Sequence, residues 1–298
     1  MEIEREKLFL SETPDRQLAK STDEKVERVH IYRVNRDSKQ AGEDIVVKEL
    51  PLTIMLNGRE LVTLLCSPAN LKYLAFGFLL SEGLLRGRND IKSIIDDEQR
   101  GIVRVETVAD LNGEEEQVFK RIITPGCGRG AAFYSSADAV GMREVKSELQ
   151  VNGAEILELM TLFHHLSETY RSTGGVHSAA LCDNKTLNIF SEDIGRHNAI
   201  DKIFGQCIWE GISTNNQIVL TSGRISSEIV IKIARNNIPV LASKSAPTNT
   251  AVKLADLLGI TLIGFVRGTR MNVYSHHQRI VSDAWDCINA RLDKTIKL

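Results

Sequence analysis

The sequence is short of several things, and each shortage removes a class of protein. Of 298 residues only 6 are proline and 21 glycine, too few for a collagen or a low-complexity chain. No C-x-x-C pair occurs, which removes the zinc-ribbon patterns and the thioredoxin-type redox motif. The five cysteines (Cys66, Cys127, Cys182, Cys207 and Cys287) are odd in number and widely spaced, so no disulfide framework is expected. No apolar run approaches the roughly 18 residues of a membrane span, and the charged start MEIEREKLFLSETPDRQLAK holds no apolar signal core. The protein is therefore expected in the cytoplasm, without a membrane partner. Lys and Arg number 37 against 39 Asp and Glu, a net charge of −2, which gives the whole chain no attraction for nucleic acid. Any anion site has to be local.

What is present is an ordinary globular balance, 42% hydrophobic and 26% charged, at a length that suggests two domains of roughly 150 residues. Residues 1–44 are polar and charge-dense and are expected to form a mobile arm with at most one strand, around Val26 to Val34. Residues 45–149 read as a small α+β domain. It opens on two β-rich runs about Asn57-Gly58, a pair suited to a type I′ hairpin turn. SPANLKYLAFGFLLSEGLL follows, with Leu71, Leu74, Ala75, Phe78 and Leu79 at helical spacing and Gly83 as a stop. Strand-like alternation over 91–123 leads into a Gly-rich cysteine loop.

Residues 150–298 read as an α/β domain. EILELMTLFHHLSETYRSTGG predicts one helix, VHSAALCDNKTLNIFSED two strands about a short turn, and the stretch from His197 to Glu210 a helix. Beyond it come strands near 217–221, 239–242 and 261–266, with helices near 226–236 and 249–258, the alternation of parallel strands with crossovers.

In such a sheet ligands gather beyond the carboxyl ends of the strands. The loops expected there are Thr221-Ser222-Gly223-Arg224, Ser243 to Thr248 with Lys244, and Arg267-Gly268-Thr269-Arg270. Hydroxyls, glycines and four cations on one edge, two of the loops opening helices, point to an anionic ligand, with phosphates or a pyrophosphate leading. Phe265 stands just before the last loop and can be read as stacking on a base or as a core aromatic. The segment SEDIGRHN adds Asp193, a helix cap or ribose acceptor, and His197, an acid or base or part of a capping network. His177 resembles the start of the H-x-E of zinc deaminases, but Ala179 takes the place of the acid and no P-C-x-x-C follows. The pairs His164-His165 and His276-His277 lack a third ligand.

Cys127 lies in Thr124-Pro125-Gly126-Cys127-Gly128-Arg129-Gly130, where flanking glycines leave a thiol uncovered and Arg121 and Arg129 favour its thiolate. The alternative is a glycine turn with an incidental cysteine. The other four cysteines stand in apolar patterns and read as core thiols.

From about residue 45 onward the chain resembles the formate dehydrogenase accessory sulfurtransferase (FdhD/NarQ-type) family. The segments PLTIMLNG, SPANLKYLAFGFLLSEGLL, GCG, TGGVHSAAL, EDIGRHNAIDKIFG, TSGRISSEIV, SKSAPTNTAVKLA and GFVRGTRMNVYSHHQRI carry the likeness, in that order. The resemblance implies a cytidine-deaminase-like three-layer α/β domain with a mixed sheet and no zinc, a smaller N-terminal α+β domain, and a homodimer. It implies a sulfur carrier that takes persulfide sulfur from a cysteine desulfurase and passes it to Mo-bis(molybdopterin guanine dinucleotide), the molybdenum cofactor of formate dehydrogenase. By the same likeness Cys127 is the persulfide cysteine, and Phe265, Val266, Arg267, Gly268, Thr269 and Arg270 form the cofactor-binding segment. The sequence departs from the C-G-x-C of many members, since Gly130 takes the place of the second cysteine. A second reading therefore stands beside the first, a cofactor-binding chaperone for formate dehydrogenase without transfer chemistry.

Overall fold

The computed structural model describes residues 25–109 and 142–281. Cys127, Arg121, Arg129, Gly130 and Cys287 lie outside them.

The chain opens on a ribbon of β1 (Val26–Val34) and β2 (Lys39–Val47), antiparallel over their full length. The single strand expected in a polar arm is thus a two-stranded hairpin. The difference arises because β2, KQAGEDIVV, pairs through its backbone while most of its side chains stay in water, so apolar alternation does not announce it.

Strands β3 (Leu50–Leu56), β4 (Arg59–Cys66), β5 (Ile91–Asp97) and β6 (Ile102–Thr107) form a second sheet in the order β4-β3-β6-β5. Asn57 (φ 48°) and Gly58 (φ 77°) make the tight β3–β4 turn with both residues left-handed, as a type I′ turn requires. One face of this sheet, with Leu52, Ile54, Leu64, Val103 and Val105, closes over α1 (Leu71–Ser81), ten of whose eleven residues are buried. A helix apolar on every side has to be covered on every side, and its second cover is a helix of the larger unit.

That unit is built on a six-stranded sheet ordered β13-β12-β11-β10-β8-β9, from β8 (His177–Cys182), β9 (Leu187–Asp193), β10 (Ile218–Thr221), β11 (Val240–Ser243), β12 (Thr261–Arg267) and β13 (Arg270–Ser275). β10, β11 and β12 are parallel, while β8 and β13 run against their neighbours. On one face lie α4 (Arg196–Glu210), α5 (Ser227–Arg235) and α6 (Asn249–Leu257). On the other lies α2 (Gly153–Leu166), whose Ile156, Leu159, Met160 and Phe163 pack on Ala180, Leu220, Ala242 and Ile263. The result is the three-layer α/β/α arrangement with a mixed sheet. Short strands β7 (Val151–Asn152) and β14 (Ile280–Val281) pair beside α2.

The single helix expected over 155–175 breaks at Ser167 into α2 and α3 (Glu168–Thr173), and Gly174 at φ 67° ends it. Val145, five residues before the expected domain start, is buried in the core beneath α4–α6 and its N–H donates to Leu258 O (2.9 Å). The chain joins the larger unit that much earlier.

The two units meet where α1 crosses α4, and glycine makes the crossing possible. A Cβ on Gly77 would stand 2.5 Å from the carbonyl carbon of Asp201, and one on Gly205 2.8 Å from that of Tyr73. Two buried ion pairs flank the crossing. Lys202 Nζ meets Asp193 Oδ2 at 2.6 Å, and Lys232 Nζ meets both carboxylate oxygens of Asp201 at 2.8 Å, with Ser81 Oγ donating to the same carboxylate (2.6 Å).

Candidate functional site

Because β8 runs against β9 and β10, the carboxyl ends of β9, β10, β11 and β12 and the start of β8 share one edge. That edge brings together His177, Asp193, Ser222, Gly223, Arg224, Lys244 and Arg267, with His197 the second residue of α4. The convergence of the basic loops expected from the strand–helix alternation is what the sheet order produces.

The loops are tied to one another rather than lying free. Ser243 Oγ donates to Gly223 O (2.7 Å) and receives Ser245 N–H (3.0 Å). Ile225 N–H donates to Ala246 O, and Thr248 N–H to Ile225 O. Phe265 N–H reaches Ser245 O at 3.1 Å, and Arg267 Nε donates to Lys244 O at 3.0 Å. Cross-linking of this kind fixes the loop backbones and the Arg267 side chain before any ligand arrives, which lowers the ordering cost of binding. Thr248 caps α6 by accepting Ala251 N–H (3.2 Å), so the first turn of that helix has one donor fewer to offer.

Arg267 and Arg270 face each other across a two-residue turn of Gly268 (φ 55°) and Thr269, which joins β12 to the antiparallel β13. All four residues are exposed. Phe265 sits in a bulge between Gly264 and Arg267 with φ 54°, a left-handed backbone that costs a phenylalanine about 1–2 kcal/mol. Its ring is half-buried, with the Arg267 guanidinium 5.6 Å from the ring centre. Backbone strain at a binding edge is the kind that persists because the surroundings enforce a useful side-chain direction.

Two expected contacts do not hold as such. Val266 is buried in the core between the sheet and α2, so only its backbone faces the edge. Asp193 is fully buried, and its carboxylate is taken up internally: Oδ1 accepts from Gly195 N–H and Asn198 Nδ2 (2.9 Å each), and Oδ2 from Ser67 N–H (3.0 Å) and Lys202 Nζ (2.6 Å). No lone pair remains for a ribose. Of the two roles read for it, Asp193 fills the structural one, tying the β9–α4 turn to the smaller unit.

His197 Nε2 stands 3.0 Å from Glu228 Oε2, an ion-pair distance, although the angle does not make a hydrogen bond. The His197 ring beside it is the main cause that holds the Glu228 carboxyl below its ordinary range, against the opposing effect of burial. His177 Nδ1 lies 3.3 Å from Ser222 Oγ, and burial, with Arg196 and His197 nearby, pushes the His177 ring below its ordinary value. Lys244 Nζ sits 3.1 Å from His164 Nδ1, and burial, then Arg267, lowers its affinity for a proton. Arg196 and His164 were not singled out from sequence as site residues. Arg196 is the first residue of α4, and its position in SEDIGRHN at a strand end was the available signal.

Among the described residues, no three His, Cys, Asp or Glu side chains converge as a metal site would require. Cys66, Cys182 and Cys207 are buried and unpaired. Burial pushes the Cys66 and Cys207 thiols up to about 12 and raises Cys182 as well, so none of the three is a thiolate at neutral pH. No helix among the described residues is long and apolar enough to cross a membrane.

Fold and edge together define an α/β protein that presents a pre-formed cationic shelf at the carboxyl ends of its strands. Residues 47–281 match the model of the FdhD/NarQ family. The chain is 42% identical over 252 residues to a protein of Bacillus pumilus named sulfur carrier protein FdhD, covering 85% of this chain and 95% of that one. It is 44% identical over 238 residues to the protein of the same name in Staphylococcus aureus strain MRSA252, covering 80% and 90%. The crystal structure of a formate dehydrogenase accessory protein from Desulfotalea psychrophila superposes with a TM-score of 0.70 at 26% identity, over 86% of this chain and all of that one. The chain belongs to the FdhD/NarQ family.

Proposed function

We propose that this protein is a sulfur carrier for formate dehydrogenase. Cys127 takes sulfane sulfur as a persulfide from a cysteine desulfurase and delivers it to Mo-bis(molybdopterin guanine dinucleotide) held at the strand-end shelf. The observation that carries the reading is the family relationship over four-fifths or more of the chain to proteins named sulfur carriers. The chemistry of the shelf supports it. Arg224, Arg267, Arg270 and Lys244 supply the charge for a dinucleotide's phosphates, and Ser222, Gly223, Gly268 and Thr269 let a backbone approach them. Phe265 offers a face to a base. His197, paired with Glu228, is assigned to the wall of the site and not to a phosphate. The thiols also divide as the reading needs, since burial disables Cys66, Cys182 and Cys207 as nucleophiles.

In the transfer, the Cys127 thiolate attacks the outer sulfur of the desulfurase persulfide. The bond to the desulfurase cysteine breaks, that cysteine leaves as a thiolate, and Cys127 holds the persulfide. The reading places the protein in the cytoplasm, as a homodimer. Gly130, in place of a second loop cysteine, is what the chaperone reading rests on. The test is activation of formate dehydrogenase in cells that lack their own copy of this protein. Wild type restores activity and Cys127→Ala does not; full restoration by Cys127→Ala would replace the carrier with the chaperone.

A further inference from the structure

The two faces of the larger sheet are covered unequally. Three helices, α4, α5 and α6, lie on one face, and one long helix, α2, lies on the other. Six strands span about 24 Å across a sheet, and a helix with its side chains is about 10 Å wide, so α2 leaves the margins of its face open. At the β13 margin the open surface is apolar. Met271 and Val273 on β13, Leu157 on α2 and Ile280 on β14 border the core beneath α2 and are only half-buried. A sheet covered on both faces takes such side chains fully inside.

The chain itself leads to this margin. β14 pairs with β7 in parallel, Val281 beside Asn152, and Asn152 is the N-cap of α2. The backbone therefore leaves Val281 next to the first turn of α2 and in its direction. A Cβ on Gly153 would stand 3.0 Å from Met271 Cε and 4.0 Å from Val281 O. Residues 282–298, which lie beyond the stretch that matches the family model, read SDAWDCINARLDKTIKL. At helical spacing Trp285, Ile288, Leu292 and Ile296 fall on one stripe. Asp283 and Asp286 come at its start and Lys294 and Lys297 at its end, the order that suits a helix dipole. A helix from 284 to 297 is as long as α2 with its 14 residues, about 21 Å.

We propose that residues 284–297 form a helix lying parallel to α2 on its β13 side, with Trp285, Ile288 and Leu292 over Met271, Val273 and Leu157. The occupant of the open margin is thus this chain's own C-terminal segment. With only two residues between Val281 and the helix start, its local concentration exceeds that of any second molecule. β13 is the last strand of its sheet and is held by β12 alone, and the Gly268-Thr269 turn that joins them carries Arg267 and Arg270. The added helix therefore steadies the outer end of the cationic shelf, whatever ligand the shelf takes.

The test is amide hydrogen exchange of the full chain, read by peptide mass. Amides of residues 287–297 exchange about 100-fold or more slowly than in a free peptide of residues 282–298, and the rate does not change with protein concentration. Trp285→Asp brings them to the free-peptide rate while α4 and β10 exchange as in wild type. Ending the chain after Val281 speeds exchange in β13 and oxidation of Met271 by dilute peroxide, each by about tenfold. Met271 oxidises faster in Trp285→Asp as well, so the position of the helix is read even where the shortened chain does not fold. Free-peptide exchange of 287–297 in the wild type overturns the proposal. Protection that is lost on dilution also overturns it, giving the margin to a second copy. So does a Met271 that oxidises at the wild-type rate in both variants, which places the segment elsewhere.

Discussion

Gly77→Ala is the substitution whose outcome the structure determines most sharply, because two opposing effects have known sizes. In the middle of a helix, alanine is better than glycine by about 1 kcal/mol, so on local grounds the variant gains stability. At the crossing of α1 and α4 the new methyl would lie 2.5 Å from the carbonyl carbon of Asp201, closer still to its oxygen, where real contacts begin at about 3.4 Å. The obstacle is backbone, so no side chain can turn aside, and clearing the carbonyl oxygen requires the helices to separate by roughly 1.5 Å. That gap opens the interface between the two units and pulls on the Lys232–Asp201 pair beside it. Overpacking of this kind costs 1–3 kcal/mol or more, and the fixed backbone puts this site at the upper end, leaving a net loss of about 2 kcal/mol. Urea unfolding reads it as a lower midpoint with an unchanged slope. Gly205→Ala, against the Tyr73 carbonyl, behaves alike, and the double variant loses less than the two singles together because one separation serves both. A Gly77→Ala protein as stable as wild type, or more so, would refute the account of how the units are joined.

Asp193→Asn leaves Lys202 charged and buried, and destabilises by about 3–5 kcal/mol in urea unfolding; adding Lys202→Met recovers most of the loss. His177 binds a proton less readily folded than unfolded, so the unfolded chain takes up more protons as pH falls from about 6.5. Stability therefore falls across that window, and His177→Gln flattens this part of a stability–pH profile. Glu228 works at lower pH with the other kind of shift: its carboxyl is held below 4.5, so its contribution is present above that value and is lost as pH drops through the folded value. Glu228→Gln removes that acid-side slope. In native protein treated with a thiol reagent and mapped by peptide mass, Cys66, Cys182 and Cys207 stay unmodified until the protein is unfolded.

Much of this architecture was legible from residue patterns, for reasons particular to each part. Asn57-Gly58 names its own turn, and the continuous apolar runs at Ile218, Val240 and Thr261 could only be strands covered on both faces. Helix α1 was plain from its spacing. Hidden were features that depend on pairing across distance. The polar strand β2 acquires its order from β1, and β13 from β12. In the helix read from EILELMTLFHHLSETYRSTGG, the break falls at Ser167, whose hydroxyl shares a buried network with Ser178 and Glu192. The site divided along the same line. The basic loops fall on one edge because strand direction sets where loops emerge, whereas the burial of Asp193 depends on Ser67, Lys202 and Asn198, which reach it from distant parts of the chain or across a turn. Arg196 reaches the edge through its packing against Gly223, a contact between distant segments that no local pattern announces.

The central claim is a sulfur carried on one thiol. Intact-mass spectrometry of the purified protein, after incubation with a cysteine desulfurase and cysteine, reads it directly, with Cys127→Ala treated in parallel. The account predicts a gain of about 32 Da, one sulfur atom, in wild type and none in Cys127→Ala. An equal gain in both proteins, or in neither, would contradict it.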